Sequence, residues 1–132
     1  KAGSQNVLEI HGSIWKVQCT KCQCLSHNSE VPIQILPTCH QCGGLLRPKV
    51  VWFGETLPAK ELAAAQLAAT HCDLMFIIGT SGLVQPAASL GIAGKQAGAY
   101  VVEINVERTP LSNIADETRI GKASDVLIDL LS

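Results

Sequence analysis

The 132 residues suffice for one ordinary domain, and 47% hydrophobic content gives them a core to bury. Ten basic residues against eleven acidic ones leave a net charge of −1, and aromatics stand at 4%, which excludes a basic nucleic-acid or membrane-surface footprint and a base-stacking platform. No apolar run reaches the roughly 20 residues that a bilayer crossing needs, and Lys1-Ala2-Gly3-Ser4-Gln5-Asn6 lacks the apolar core of a signal peptide, so no membrane association and a cytoplasmic or other reducing compartment are expected.

Val7-Leu8-Glu9-Ile10-His11-Gly12 alternates apolar with polar residues and ends in glycine, which predicts a short strand delivering His11 to a strand end. Ser13 to Pro48 holds both paired cysteine motifs, few large apolar residues, and Pro32 and Pro37. It reads as a loop-rich insert folded around a metal. Pro58 suits a first helical turn, and the alanine-rich run Ala59 to Thr70 follows as a helix. Leu74-Met75-Phe76-Ile77-Ile78 is a continuous apolar run ending at Gly79, the pattern of a strand buried on both faces. Pro86 to Ala97 reads as a helix closed by Gly98, and Tyr100 to Ile104 as a second buried strand. A short segment at Thr118 to Ile120 and a helix from Ser124 to Leu131 complete the chain. Strand, helix, strand, helix with short links predicts parallel pairing, hence part of an open α/β sheet.

Cys19-x-x-Cys22 and Cys39-x-x-Cys42 are 16 residues apart, inside the window in which two knuckles meet as a zinc ribbon. Four thiolates about 2.3 Å from Zn²⁺ leave no position for water, so such a metal is structural. Reduced buried thiols and a dithiol redox site are the alternatives. Cys24 reads as a bystander and Cys72 as a core thiol. His11 in isolation reads as a structural histidine or as a proton carrier. Gly79-Thr80-Ser81-Gly82 follows the first buried strand and Asn105 the second. Ligands of open α/β sheets bind beyond the carboxyl ends of the strands, so these are two ordinary turns or the two lips of one crevice.

In this order, E-I-H-G-S, the two knuckles, V-V-W-F-G-E, G-T-S-x-x-V-x-P and I-N-x-E resemble the sirtuin family along nearly the whole chain. The resemblance implies an α/β fold: part of a Rossmann-like parallel sheet with an inserted zinc ribbon. It divides the chain into residues 1–12, a strand carrying the catalytic histidine; 13–48, the zinc module; and 49–132, the acyl-lysine loop and the C-terminal part of the NAD-binding domain. The implied activity is NAD-dependent protein-lysine deacylation, releasing nicotinamide and O-acyl-ADP-ribose. His11 is then the general base and Cys19, Cys22, Cys39 and Cys42 hold structural Zn²⁺. Val51, Phe53, Gly54 and Glu55 meet the acyl-lysine peptide. Gly79, Thr80, Ser81 and Val84 meet the NAD phosphates and nearby ribose; Asn105 and Glu107 meet the adenine ribose, and Ala123 the adenine turn. The implied partners are NAD and acyl-lysine proteins or peptides.

Trp52 and Gln85-Pro86-Ala87-Ala88 look like the class III branch, which favours succinyl and malonyl groups, although some members also deacetylate. The family's G-A-G-I-S, P-x-F-R and Q-N-I-D motifs and the branch's acyl-selecting Tyr and Arg are not among these residues. The chain is therefore expected to be a portion of a longer protein, beginning at an A-G-S match at Ala2-Gly3-Ser4, and to be marginally stable and inactive alone. A non-catalytic zinc-ribbon binding module is the alternative from another class.

Overall fold

A computed structural model describes residues 3–132 except the side chain of Leu131; Lys1, and Ala2 of the A-G-S match, lie outside the described residues. The chain forms two compact units, Lys1–Leu62 and Ala63–Ser132.

In the first unit β1 (Gly12–Cys19), β2 (Leu25–His27) and β3 (Leu46–Val50) form an antiparallel sheet in the order β2-β1-β3. β1 meets β3 at Gly12↔Val50 and at Cys19↔Leu46, with an irregularity between Ser13 and Val17. The loop-rich insert expected here is thus built on a sheet. Its two knuckles sit at strand ends: Cys19 closes β1, and an isolated bridge, Thr38↔Leu45, leads from Cys39 and Cys42 into β3. The buried apolar residues of this unit, among those described, are Val17, Cys19 and Cys39. A sheet with so little aliphatic interior depends on the sulfur cluster for cohesion.

The strand expected over Val7–Gly12 is corrected: Val7 to Glu9 belongs to no strand, and Ile10-His11 is a turn closed by Gly12 N–H donating to Glu9 C=O at 2.8 Å. Alternation marks a chain able to be extended, but a strand needs a partner, and β3 ends opposite Gly12.

The helix α1 (Ala59–Thr70) leads into the second unit, where β4 (Leu74–Ile78), β5 (Tyr100–Asn105) and β6 (Glu117–Ile120) form a parallel sheet in the order β4-β5-β6. The helix α2 (Ala87–Gln96) connects β4 to β5, a 3-10 turn at Pro110–Asn113 precedes β6, and α3 (Ala123–Leu131) follows it. Ile77, Val101 and Leu111 form the core, with Met75, Ile114 and Ala115 against them. α2 buries Ala88, Gly91 and Gly94. A Cβ on Gly94 would lie 2.5 Å from Met75 Cε and one on Gly91 2.7 Å from Ile77 Cδ1, so the helix lies tight on β4.

Burial of β4 on both faces is also corrected. Leu74, Phe76 and Ile78 remain 51, 45 and 40% exposed while Ile77 is buried, because β4 is an outer strand whose side chains alternate between α2 and solvent. β5 lies in the centre, and Val101, Val102, Glu103 and Ile104 are all buried. The Glu103 carboxylate is fully buried and accepts from the hydroxyls of Thr109 and Ser112. Those two residues also form the capping box of the 3-10 turn, so a buried carboxyl group on β5 anchors the loop that follows it.

Candidate metal centre and binding loops

Cys19, Cys22, Cys39 and Cys42 bring their sulfurs within 4.8 Å of one another. Cys19–Cys42 and Cys22–Cys39 stand at 3.5 and 3.7 Å. A tetrahedron with 2.3 Å metal–sulfur bonds needs sulfurs about 3.8 Å apart, so the set fits zinc. The Lys21 and Cys22 amides donate to Cys19 Sγ at 3.3 and 3.4 Å, as expected where backbone N–H groups stabilise a thiolate. They hold the Cys19 thiol below its ordinary range, the Cys22 amide foremost. A Cβ on Gly44 would lie 3.0 Å from Cys19 Sγ and 3.4 Å from Cys42 Sγ, so the second knuckle has no room for a larger residue there. Cys24, expected to stand apart, places its sulfur 3.2 Å from Cys39 Sγ. The shared hydrogen bond pushes the Cys24 thiol up to about 12 and draws Cys39 down to about 6. Cys24 thus lies within hydrogen-bond distance of a sulfur of the cluster without being one of its four members. Cys72 donates to Ala69 C=O at the end of α1.

His11 is exposed in the turn before β1. Its carbonyl accepts from Val51 N–H at 3.0 Å, which adds one rung beyond the Gly12↔Val50 pair and fixes the V-V-W-F-G-E segment beside it. Gly12 has φ +76°, and a Cβ there would lie 2.1 Å from Lys49 C=O, so the glycine after His11 permits this close approach. Beyond Val51 the chain turns at Trp52–Glu55, with Phe53 wholly exposed at its tip and Gly54 at φ +85°. A cavity of about 720 Å³ in this unit is lined by Val51 and Glu55, together with Glu9, Ser13, Arg47 and Lys49; His11, Phe53 and Gly54 are not in its wall.

Sequence reasoning missed Arg47. Its guanidinium grips both Glu55 oxygens at 2.6 and 3.0 Å, donates to Val50 C=O at 2.9 Å and lies 3.9 Å from the Trp52 ring centroid. Glu55 also accepts from Trp52 N–H, and its carboxyl is held down to about 2 by Arg47 first and by that amide second. The usable signal was a lone arginine on a strand entering an aromatic segment that ends in glutamate.

In the second unit a cavity of about 310 Å³ is walled by Gly79, Thr80 and Ser81 after β4, by Asn105 at the end of β5 and by Glu107 and Arg108 beyond it. The two loops seen separately in the sequence therefore share one crevice at the carboxyl ends of two parallel strands. Asn105 holds them together: its Nδ2 donates to Thr80 C=O at 2.7 Å and its Oδ1 accepts from Val106 N–H at 2.8 Å. Val84 and Ala123 are not in the wall of this cavity; Val84 is exposed, and Ala123 opens α3.

The fold and the cysteine cluster define an α/β protein with a Rossmann-like parallel sheet and a four-cysteine zinc ribbon. The model of the Sir2 family matches residues 1–86. A protein of Caldanaerobacter subterraneus subsp. tengcongensis named NAD-dependent protein deacylase 1 is 53% identical over 115 residues, 86% of this chain and 48% of its own length. The NAD-dependent protein deacylase of Aquifex aeolicus is 46% identical over 125 residues, 94% of this chain and 52% of its own. A crystal structure of a Sir2 homolog–NAD complex superposes with a TM-score of 0.93 at 46% identity, covering 98% of this chain and 51% of that one. Sir2Tm bound to a propionylated peptide superposes with 0.88 at 29% identity, covering 98% and 56%. This chain belongs to the Sir2 family of sirtuins. It spans about half the length of the curated relatives it matches. No helix among the described residues is long and apolar enough to cross a membrane.

Proposed function

We propose that this chain serves NAD-dependent protein-lysine deacylation, with His11 as the general base. The observation that carries the reading is the Val51–His11 rung, which joins the residue proposed as base to the segment proposed to hold the acyl-lysine. The acyl oxygen of the modified lysine attacks the anomeric carbon of the NAD ribose as nicotinamide leaves. His11 takes the proton of a ribose hydroxyl, which turns that oxygen on the acyl carbon, and water resolves the intermediate to free lysine and O-acyl-ADP-ribose. An imidazole is suited to such a transfer at neutral pH. The crevice of Gly79, Thr80, Ser81, Asn105 and Glu107 presents small residues, backbone amides and a carboxylate to the phosphates and adenine ribose; Val84 and Ala123 are proposed, on the family resemblance alone, to meet the phosphates and the adenine. Val51, and the backbone of the exposed turn at Phe53 and Gly54, offer main-chain groups to which a peptide main chain pairs, giving broad sequence tolerance. With four thiolates bound, zinc would supply cohesion to residues 13–48 rather than a Lewis-acid site.

The finer reading is the class III preference for acidic acyl groups, supported by Trp52. The 132 residues alone are proposed to be inactive, since the family's G-A-G-I-S and Q-N-I-D motifs are not among them. Mass spectrometry of acetyl- and succinyl-lysine peptides with NAD tests all three readings, comparing this chain, a form extended upstream through its reading frame, and the extended form with His11→Ala. Deacylation by the extended form alone, lost in His11→Ala, is the expected result, with succinyl consumed faster. Equal activity of the short chain overturns the inactivity proposal, faster acetyl removal overturns the class III reading, and inactivity of both forms turns the case toward a zinc-ribbon binding module.

A further inference from the structure

Arg47 lies on β3, outside the V-V-W-F-G-E segment, yet it touches that segment at three points. It makes a two-pronged ion pair with Glu55, a hydrogen bond to Val50 C=O and a cation–π contact with Trp52. Val50, Trp52 and Glu55 are the first, third and last residues of the segment. Glu55 closes it from inside: Oε2 accepts from Trp52 N–H at 3.0 Å, and Glu55 N–H donates to Trp52 C=O at 2.9 Å.

The planar fork of a guanidinium is what lets one side chain do this. It meets a carboxylate with two parallel hydrogen bonds, keeps a further N–H for a carbonyl, and offers a flat face to an indole. A lysine keeps the charge but loses the fork and most of the stacking. The pair is partly open to water, 27% exposed at Arg47 and 41% at Glu55, and exposed ion pairs contribute little to global stability. What the contacts do is fix a shape. Gly54 has φ +85° and Phe53 is wholly exposed, so these two residues at the tip add no buried side chain to hold it.

We propose that Arg47 is a positioning residue that clamps the Val50–Glu55 turn in the form that receives the acyl-lysine peptide, and that Glu55 acts through Arg47 and Trp52 rather than on the substrate. The inference rests on the deacylase reading for its substrate, but the clamp itself is tested without it. Because Arg47 holds the Glu55 carboxyl down to about 2, the clamp stays charged at any working pH.

The test uses the complete enzyme with Arg47→Ala, Arg47→Lys and Glu55→Gln, reading amide hydrogen exchange at Trp52 and Glu55, kcat and KM for an acyl-lysine peptide, KM for NAD, and Tm. Arg47→Ala is expected to speed exchange at both amides and to raise peptide KM about tenfold, the size of one lost charge-assisted contact. KM for NAD and Tm change little, and Arg47→Lys and Glu55→Gln fall between it and the parent. Unchanged exchange in all three variants overturns the clamp, whatever the activity. Faster exchange with unchanged peptide KM overturns the positioning role. A rise in both KM values with a lowered Tm marks a purely structural residue and overturns the proposal as well. If the parent enzyme turns over no acyl peptide, the deacylase reading fails, while exchange still decides the clamp.

Discussion

Replacing Gly12 by alanine tests the close approach that sets His11 beside Val51, and Gly54 provides the internal control. Both glycines have positive φ, +76° and +85°, so each alanine costs roughly 1–2 kcal/mol in backbone strain. They differ in space: a Cβ on Gly54 meets nothing within 4 Å, whereas one on Gly12 lies 2.1 Å from Lys49 C=O, a backbone atom that moves only with its strand. Relief at Gly12 therefore parts β1 from β3 and forfeits the Gly12–Val50 pairing and the Val51–His11 hydrogen bond, each worth about 1 kcal/mol net. The sum is about 3–4 kcal/mol for Gly12→Ala against about 1–2 for Gly54→Ala. At ~4–8 °C per kcal/mol, the first lowers Tm by about 12–32 °C and the second by about 4–16 °C. Thermal unfolding of the zinc-loaded chain, followed by far-UV circular dichroism, reads both. Equal losses in the two variants would refute the argument, because they would show that backbone strain alone, and not the strand contact, governs Gly12.

Zinc measured by a colorimetric chelator should stand at one per chain, be retained in Cys24→Ser and be lost in Cys42→Ser; retention in both would mean that Cys24 serves as a ligand. Extraction of that zinc should abolish the β1–β3 sheet signal while leaving the helical signal of the second unit. In that unit Asp116 pairs with Lys95 and accepts from Val101 N–H, and these bonds, Lys95 first, lower its pKa. A carboxyl depressed in the fold contributes stability above its ordinary value of 3.8 and loses it as pH falls below, so Asp116→Asn should lower Tm at pH 6 and converge with the parent toward pH 3. A gap that widens on acidification would reverse the sign and discard the argument.

The features legible in the sequence were those carried by local pattern. Two knuckle spacings gave the cysteine cluster, and the Ala59–Thr70 composition gave α1. The apolar runs before Gly79 and Asn105 gave two parallel strands whose following loops meet in one crevice. What was misread depended on partners that a linear pattern does not name. Val7 to Glu9 alternates like a strand but has none beside it, and Leu74 to Ile78 is apolar throughout yet sits at an outer position. Arg47 was passed over for a related reason: its partners Val50 and Glu55 lie three and eight residues away around a turn, and only the fold brings them together. Thr109 stands directly before Pro110, a pattern that marks a helical start, but no linear pattern shows that a buried Glu103 holds Thr109 and Ser112.

The close seating of α2 on β4 also constrains how this molecule can be engineered for heat resistance. Exchanging a helical glycine for alanine is a routine stabilising move, worth about 1 kcal/mol where the site is open. At Gly91 and Gly94 the added carbon would enter space already held by Ile77 and Met75, and Gly94 would also press on the Ala69 carbonyl at 3.1 Å. The usual gain is reduced there by the cost of moving Ile77 Cδ1 and Met75 Cε aside, so a library built on helix propensity alone overstates the benefit at both positions.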